Sequence, residues 1–104
     1  MGFDQYHEPP EELSAATRTF ARMITGLAEE ADAISWYEQR ISVEHNSDAK
    51  KIMENAQKEE MKHFSMDLEF LLRAKPQWRK LAKGILLSTG DIVELAEKAE
   101  KEVD

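Results

Sequence analysis

A glutamate and a histidine three residues apart, Glu60 and His63, are the pair in this sequence best suited to metal chemistry. The apolar spacing of residues 58–70, KEEMKHFSMDLEF, predicts a helix on which positions i and i+3 are neighbours. One metal ion can therefore reach both side chains. Glu60 falls near the centre of the apolar face, where an unpaired charge is costly. Pairing with a basic residue of another helix is the alternative, and it accounts for Glu60 but not for His63.

A third ligand is expected from the helix that precedes this pair. If the chain turns midway between them, Glu30 lies about as far before the turn as Glu60 and His63 lie after it. An antiparallel hairpin would bring the three side chains level. Tyr37 follows Glu30 by seven residues and lies on the same stripe of the helix. Glu38 is nearer the centre of that helix's apolar face, so periodicity alone leaves Glu38 as a rival ligand.

The elements that must position these side chains are all helices, and the sequence has no strand pattern. The break at residues 45–48 is short enough for an antiparallel hairpin, with Ser47 or Asp48 as the cap of the second helix. Gly26 is expected to mark a close helix contact. The predicted segments are an irregular tail at 1–10, a first helix at 11–45, a second at 48–74, a third at 76–87 and a C-terminal helix at 91–101.

Composition narrows the classes of function. The 104 residues suit one small domain, and 14 Lys and Arg against 21 Asp and Glu give a net charge of −7, which disfavours nucleic acid as a partner. The count of zero cysteines removes thiolates as metal ligands, leaving carboxylate and imidazole, the donors that suit iron, manganese or a mixed zinc site. No apolar run is long enough for a bilayer and no signal peptide is recognisable, so a cytoplasmic protein is expected.

Half of a known ligand set is present. Di-metal carboxylate sites in four-helix bundles take a Glu from each of two helices and a Glu-x-x-His from each of the other two. This chain offers one helix of each kind, with Glu30 on the first and Glu60 and His63 on the second. Two long helices also bury little apolar surface alone. The sequence therefore predicts an all-α hairpin that completes a four-helix bundle by homodimerisation.

Two stretches carry a resemblance to a known family. The runs AEEADAISWYEQR, residues 28–40, and KEEMKHFSMDLEFLLR, residues 58–73, are similar to the encapsulated ferritins, which are short ferritin-like proteins held inside encapsulin nanocompartments. The pair Trp36-Tyr37 together with Glu60-x-x-His63 is the most specific part of the match. The resemblance implies a ferritin-like fold for most of the chain.

The resemblance also implies an activity. Family members oxidise Fe(II) at a di-iron ferroxidase centre between two subunits, and the shell stores the ferric product. By this likeness Glu30, Glu60 and His63 are iron ligands and Tyr37 is the tyrosine of the site. The family further implies a homo-oligomer built as a ring of dimers, a decamer, with the encapsulin shell protein as partner and a location inside that compartment in the cytoplasm.

A second, outer metal site is implied by the same family. It would map to Glu29, Asp32 and Trp36, and would hold Ca or another divalent ion on the path to the centre. Asp32 is shorter than the glutamate usual at that position, and an ordinary solvated face is the alternative. Family members usually end in a targeting peptide for the shell, and none is recognisable in the closing residues KEVD.

Two other functions fit the same residues. A non-enzymatic helical scaffold or adaptor would use the Glu–His cluster as a polar network that fixes the dimer register. A di-iron or di-manganese protein acting on peroxide would use the same ligands for another substrate. Asp67, one helical turn beyond His63, is expected either to accept the second N–H of that imidazole or to pair with a basic residue.

Overall fold

The computed structural model describes residues 5–103, and these residues form helices and no strand. The all-α prediction is therefore confirmed. The first four residues of the predicted irregular tail lie outside the described residues. The elements are a 3-10 turn at Pro10–Glu12 and four α-helices, α1 at Ala15–Val43, α2 at Ser47–Ala74, α3 at Pro76–Lys83 and α4 at Ile92–Val103.

The first helix begins later than the predicted residue 11 because two local signals compete there. Pro10 opens a separate 3-10 turn, in which the Leu13 N–H donates to the Pro10 carbonyl at 3.1 Å. Ser14 then caps α1, since its Oγ accepts the Thr17 N–H at 3.0 Å. The apolar spacing extends into residues 11–14, but the backbone there is turn and cap.

Three residues, 44–46, join α1 to α2, and Asn46 starts the second helix. Its Oδ1 accepts the Ala49 N–H at 2.9 Å, and its own N–H donates to Glu44 Oε2 at 3.0 Å. The cap is therefore Asn46 and neither Ser47 nor Asp48, which belong to α2. A turn this short forces the two long helices to run antiparallel.

The chain divides into two compact units, the first ending at Glu69 and the second beginning at Phe70. The single ferritin-like half-bundle domain stays a prediction. In the first unit α1 buries none of its 29 residues, so the long hairpin lacks a core of its own. The buried residues among those described lie in the second unit. They are Leu71, Leu72, Ala82 and Ala99.

Close packing of α3 against α4 holds the second unit together. A Cβ at Gly84 would lie 2.7 Å from Ala99 Cβ, so only glycine fits there. The predicted third helix, 76–87, ends at Lys83 because the chain turns after Gly84 to deliver α4. Leu87 has φ +58° and Gly90 has φ +110° within this turn. Asp91 caps α4 by accepting the Glu94 N–H at 3.0 Å.

None of the helices within residues 5–103 is long and apolar enough to cross a membrane.

Candidate metal centre

Two cross-helix contacts fix the register of the α1–α2 hairpin. The Gln57 side-chain amide donates to the Ile34 carbonyl at 3.2 Å. Further from the turn, a Cβ at Gly26 would lie 3.3 Å from Asp67 Oδ2. Gly26 is therefore a place of close helix approach, as expected. This antiparallel register sets Glu30 level with α2 positions between Gln57 and Asp67, the segment that carries the predicted Glu-x-x-His pair.

Glu60 and His63 meet on one face of α2. His63 Nδ1 lies 3.1 Å from Glu60 Oε1, and because a carboxylate only accepts, the imidazole N–H is the donor. The other ring nitrogen, Nε2, then carries the lone pair that binds metals. The side chain of Glu60 is 28% exposed and that of His63 is 45% exposed, so a cation approaching from outside the hairpin can reach both.

Glu30 faces the same region from α1. Its Oε1 is buried and has no hydrogen-bond partner, and its carboxyl lies against that of Asp67. Burial is the main cause that raises the pKa of Glu30 from 4.5 to about 7, followed by the hydrogen bond and the charge of Asp67. The charge of His63 lowers this pKa and that of Glu60 raises it, so all four groups lie within electrostatic reach.

The rival ligand Glu38 is engaged elsewhere. Its Oε1 accepts a hydrogen bond from Gln57 Nε2 at 2.9 Å, and the residue is exposed. Glu38 thus helps to hold the hairpin, whereas Glu30 presents a buried, unpartnered oxygen. A carboxylate whose hydrogen-bonding capacity is already used is the weaker ligand candidate.

The carboxylates and the imidazole of this site are suitable ligands for a metal cation. A buried carboxylate oxygen without a partner is costly, and a bound cation would remove that cost. Carboxylates and one imidazole are the donors of di-iron carboxylate proteins. Within residues 5–103 of one chain, however, no three acidic or histidine side chains converge on a point where they could hold a metal ion. The predicted set Glu30, Glu60 and His63 is therefore close together without forming a complete metal-binding group in one chain.

The remaining predicted residues lie on α1. Tyr37 is half-buried, and the Arg40 guanidinium lies 5.4 Å from the centre of its ring. Among the outer-site residues, Glu29 is exposed, Asp32 is half-buried and Trp36 is 52% exposed. The outer metal site and the role of Tyr37 stay predictions.

Asp67 makes contacts with α1 that the sequence did not predict. It faces Glu30 and Gly26 on α1, whereas we expected it to accept from His63 or to pair with a base. His63 uses Glu60 as its partner instead. The available signal was Gly26, since a glycine in the first helix left room for a side chain of the second.

A helical hairpin with a Glu on one helix and a Glu-x-x-His on the other is half of the four-helix bundle typical of ferritin-like di-metal carboxylate proteins. A family model described as EncFtn-like matches residues 5–89, and the chain belongs to this family of encapsulated ferritins. Membership implies an iron-related, ferritin-like function and iron binding in general.

Individual relatives agree with this assignment. A "Ferritin-like protein" of Thermotoga maritima is 39% identical over 95 residues, covering 91% of this chain and 83% of its own length. An "Encapsulated ferritin-like protein" of Rhodospirillum rubrum is 33% identical over 95 residues, covering 89% of this chain and 68% of its own length. The crystal structure of protein ne0167 from Nitrosomonas europaea matches with a TM-score of 0.80 and 36% identity, covering 86% of this chain and 99% of that one.

Proposed function

We propose that this protein is a ferroxidase that oxidises Fe(II) to Fe(III) at a di-iron centre shared by two copies of the chain. One observation carries the proposal. The unpartnered, buried Oε1 of Glu30 lies on the same side of the hairpin as the Glu60–His63 pair. These groups are the half-complement of a di-iron carboxylate site that one hairpin can supply.

The second half is proposed to come from a second hairpin. The long helix α1 buries none of its residues, although its sequence has an apolar face. Large apolar side chains of the hairpin are exposed, and an identical hairpin would cover them in a four-helix bundle. They include Trp36 at 52%, Ile52 at 70%, Met61 at 44% and Met66 at 56% exposure.

In the proposed dimer the two-fold axis passes through the site. Glu30, Glu60 and His63 of each chain then supply four carboxylates and two imidazoles in total. The carboxylates of both chains would hold the two Fe(II) ions, and each His63 would add an imidazole donor. Tyr37, on the same stripe of α1 as Glu30, is proposed to border the site. Without a cation the converging carboxylates repel one another, so metal binding also strengthens the dimer.

The chemistry follows from the ligand set. Hard anionic oxygen ligands stabilise Fe(III) more than Fe(II), because the attraction grows with the charge of the ion. Each Fe(II) gives up one electron, so a pair delivers two electrons to dioxygen or to peroxide. Two protons from solvent accompany them, giving peroxide from dioxygen or water from peroxide. The ferric ions then leave the centre as product.

Storage is proposed to depend on a protein shell. The Rhodospirillum rubrum relative is named as an encapsulated protein. We extend that property to this chain, with an encapsulin shell as partner, a cytoplasmic compartment as location and a ring of dimers, a decamer, as the assembly. Glu29, Asp32 and Trp36 are proposed as an outer site for Ca or another divalent ion on the way to the centre.

The proposed function is tested by anaerobic titration of metal-free protein with Fe(II), followed by exposure to air. We expect binding of about two iron ions per dimer and rapid growth of ferric absorbance. Glu60→Ala and His63→Ala should lose both. Glu59→Ala is the matched control, since Glu59 is the adjacent glutamate but pairs with Lys62 at 3.3 Å on an exposed face.

Oxidation no faster than in buffer, or equal in wild type and the two site variants, would contradict the ferroxidase assignment. Product analysis separates a protein acting on peroxide, because a ferroxidase consumes Fe(II) in proportion to the oxidant, whereas the other enzyme turns over peroxide with its metal retained.

A further inference from the structure

Asp67 lies on the stripe of α2 that carries the site. Glu60, His63 and Asp67 follow one another at intervals of three and four residues, so they share one face of the helix. Asp67 is half-buried there. Its carboxyl group forms a hydrogen bond with that of Glu30.

Gly26 makes the room that Asp67 occupies. An added Cβ at position 26 would lie 3.3 Å from Asp67 Oδ2, closer than comfortable van der Waals contact. Gly26 and Glu30 are one helical turn apart on α1. The Asp67 carboxylate is therefore seated over Gly26 and directed toward Glu30, in a space that the missing side chain leaves open.

Two carboxylates in contact across a hairpin repel each other, so without a cation one of the two groups holds a proton, as the raised pKa of Glu30 indicates. The charged groups that shift the pKa of Glu30 are Asp67, His63 and Glu60, and no lysine or arginine is among them. The Oε1 atom of Glu30 is buried and unpartnered on this same side. A metal cation would satisfy both carboxylates at once.

We propose that Asp67 is a further metal-binding residue of the centre, adding a third carboxylate to each chain's contribution. This inference rests on the proposed function and deepens it. Two chains would then supply six carboxylates and two imidazoles. The extra negative charge strengthens binding of Fe(II), and strengthens binding of Fe(III) more. The centre of this protein should therefore hold its ferric product longer than Glu30, Glu60 and His63 alone would.

Metal binding, rather than activity, is the direct test. Metal-free wild type, Asp67→Asn and the control Asp48→Asn are titrated anaerobically with Co(II), whose visible absorption reports the ligands. Asp48 lies in the exposed first turn of the same helix, so the control makes the same change of charge away from the site. We expect Asp67→Asn to weaken binding about tenfold or more and to change the Co(II) spectrum, as losing a ligand carboxylate should. Asp48→Asn should bind as wild type does.

Product retention gives a second readout. After oxidation of a bound Fe(II) load, a ferric chelator should remove iron faster from Asp67→Asn than from wild type or Asp48→Asn. Circular dichroism checks that each variant is folded. Co(II) affinity and spectrum of Asp67→Asn equal to wild type would overturn the inference.

A variant on the facing helix tests the same placement without altering Asp67. Gly26→Ala improves helix propensity by about 1 kcal/mol, so α1 should remain folded. The new methyl group would lie 3.3 Å from Asp67 Oδ2 and would shift that carboxylate by a few tenths of an ångström, so Co(II) binding should weaken. In the Asp67→Asn background the same change should add no further weakening. Unchanged affinity in Gly26→Ala, or full additivity in the double variant, would contradict the role of Asp67.

Glu60→Ala, run alongside, separates the two hypotheses. If Glu60→Ala loses binding while Asp67→Asn retains it, the proposed function stands and this inference fails. If wild type binds neither Co(II) nor Fe(II), both fail.

Discussion

The carboxyl group of Glu30 on α1 lies against that of Asp67 on α2, and Glu30 Oε1 is buried there without a hydrogen-bond partner. Burial and a second carboxyl both disfavour the charged form of Glu30. This contact therefore makes the stability of the metal-free hairpin depend on pH.

The first prediction concerns the pH dependence of stability in the metal-free protein. The folded-state pKa of Glu30 is about 7, above its ordinary value of 4.5, so the folded chain binds a proton more tightly than the unfolded chain. Between these two pH values the free energy of unfolding should fall as pH rises. Below about 4.5 Glu30 has no effect, and above about 7 its full destabilising effect is present.

Glu30→Gln isolates this contribution, because glutamine keeps the shape and cannot ionise. Urea unfolding of metal-free wild type and Glu30→Gln at pH 5 and pH 8 is the measurement. The variant should gain stability relative to wild type at pH 8, on the order of 1 to 2 kcal/mol because solvent screens the partly exposed Glu30, with little gain at pH 5. An equal difference at both pH values would show that the pKa of Glu30 is not raised.

The second prediction decides between the two candidate glutamates of α1. Glu30→Gln should lower Fe(II) affinity sharply, since it removes a proposed ligand charge. Glu38→Gln should leave that affinity unchanged, because Glu38 Oε1 already accepts from Gln57 at 2.9 Å and is exposed. Anaerobic equilibrium dialysis with Fe(II) measures both. A larger loss in Glu38→Gln than in Glu30→Gln would restore Glu38 as the ligand.

The third prediction concerns the start of α2. Asn46→Ala removes the oxygen that accepts the Ala49 N–H, and should cost about 1 kcal/mol of unfolding free energy. Ser47→Ala is the matched control, since Ser47 lies within the helix and should change stability little. Chemical denaturation compares the two variants. If Ser47→Ala proved the more damaging, the cap would be misassigned.

The fourth prediction concerns the second unit. Gly84→Ala places a methyl group 2.7 Å from Ala99 Cβ, so α4 must move away from the end of α3. Overpacking of this kind costs about 1 to 3 kcal/mol. Hydrogen exchange should show faster exchange in α4, with exchange in α1 unchanged. Lys83→Ala, at the exposed neighbouring position, should leave both helices as they are, and protection of α4 in Gly84→Ala equal to wild type would refute the close contact.

Periodicity predicted the helices well because an apolar stripe is set by the backbone repeat alone. Periodicity could not place the ends of the helices, because capping residues and turns stop a helix even where the apolar spacing continues. Pro10 makes a 3-10 turn and Ser14 caps α1, although the apolar spacing begins earlier. Likewise α3 stops at Lys83 because Gly84 must admit Ala99, a contact between residues far apart in the chain.

In the site, too, the contact within one helix was predictable from the sequence, whereas the contacts between the two helices were not. The Glu60–His63 contact follows from their spacing on one helix. The spacing did not show that Gln57 of α2 donates a hydrogen bond to Glu38, a contact that makes Glu38 the weaker ligand candidate. The position of Asp67 depends on the space above Gly26, which only the packed hairpin reveals.

The central claim is that one iron centre needs residues of two chains, and mixed dimers test it most directly. Wild-type and Glu60→Ala chains are mixed in varying proportions, unfolded, refolded together without metal, and assayed for Fe(II) oxidation. If both chains build each centre, only wild-type pairs are active and an equal mixture keeps about a quarter of the activity. Mixtures of wild type with Glu59→Ala should keep full activity. Activity that falls in direct proportion to the wild-type fraction, to about half in the equal mixture, would show that each chain carries its own site.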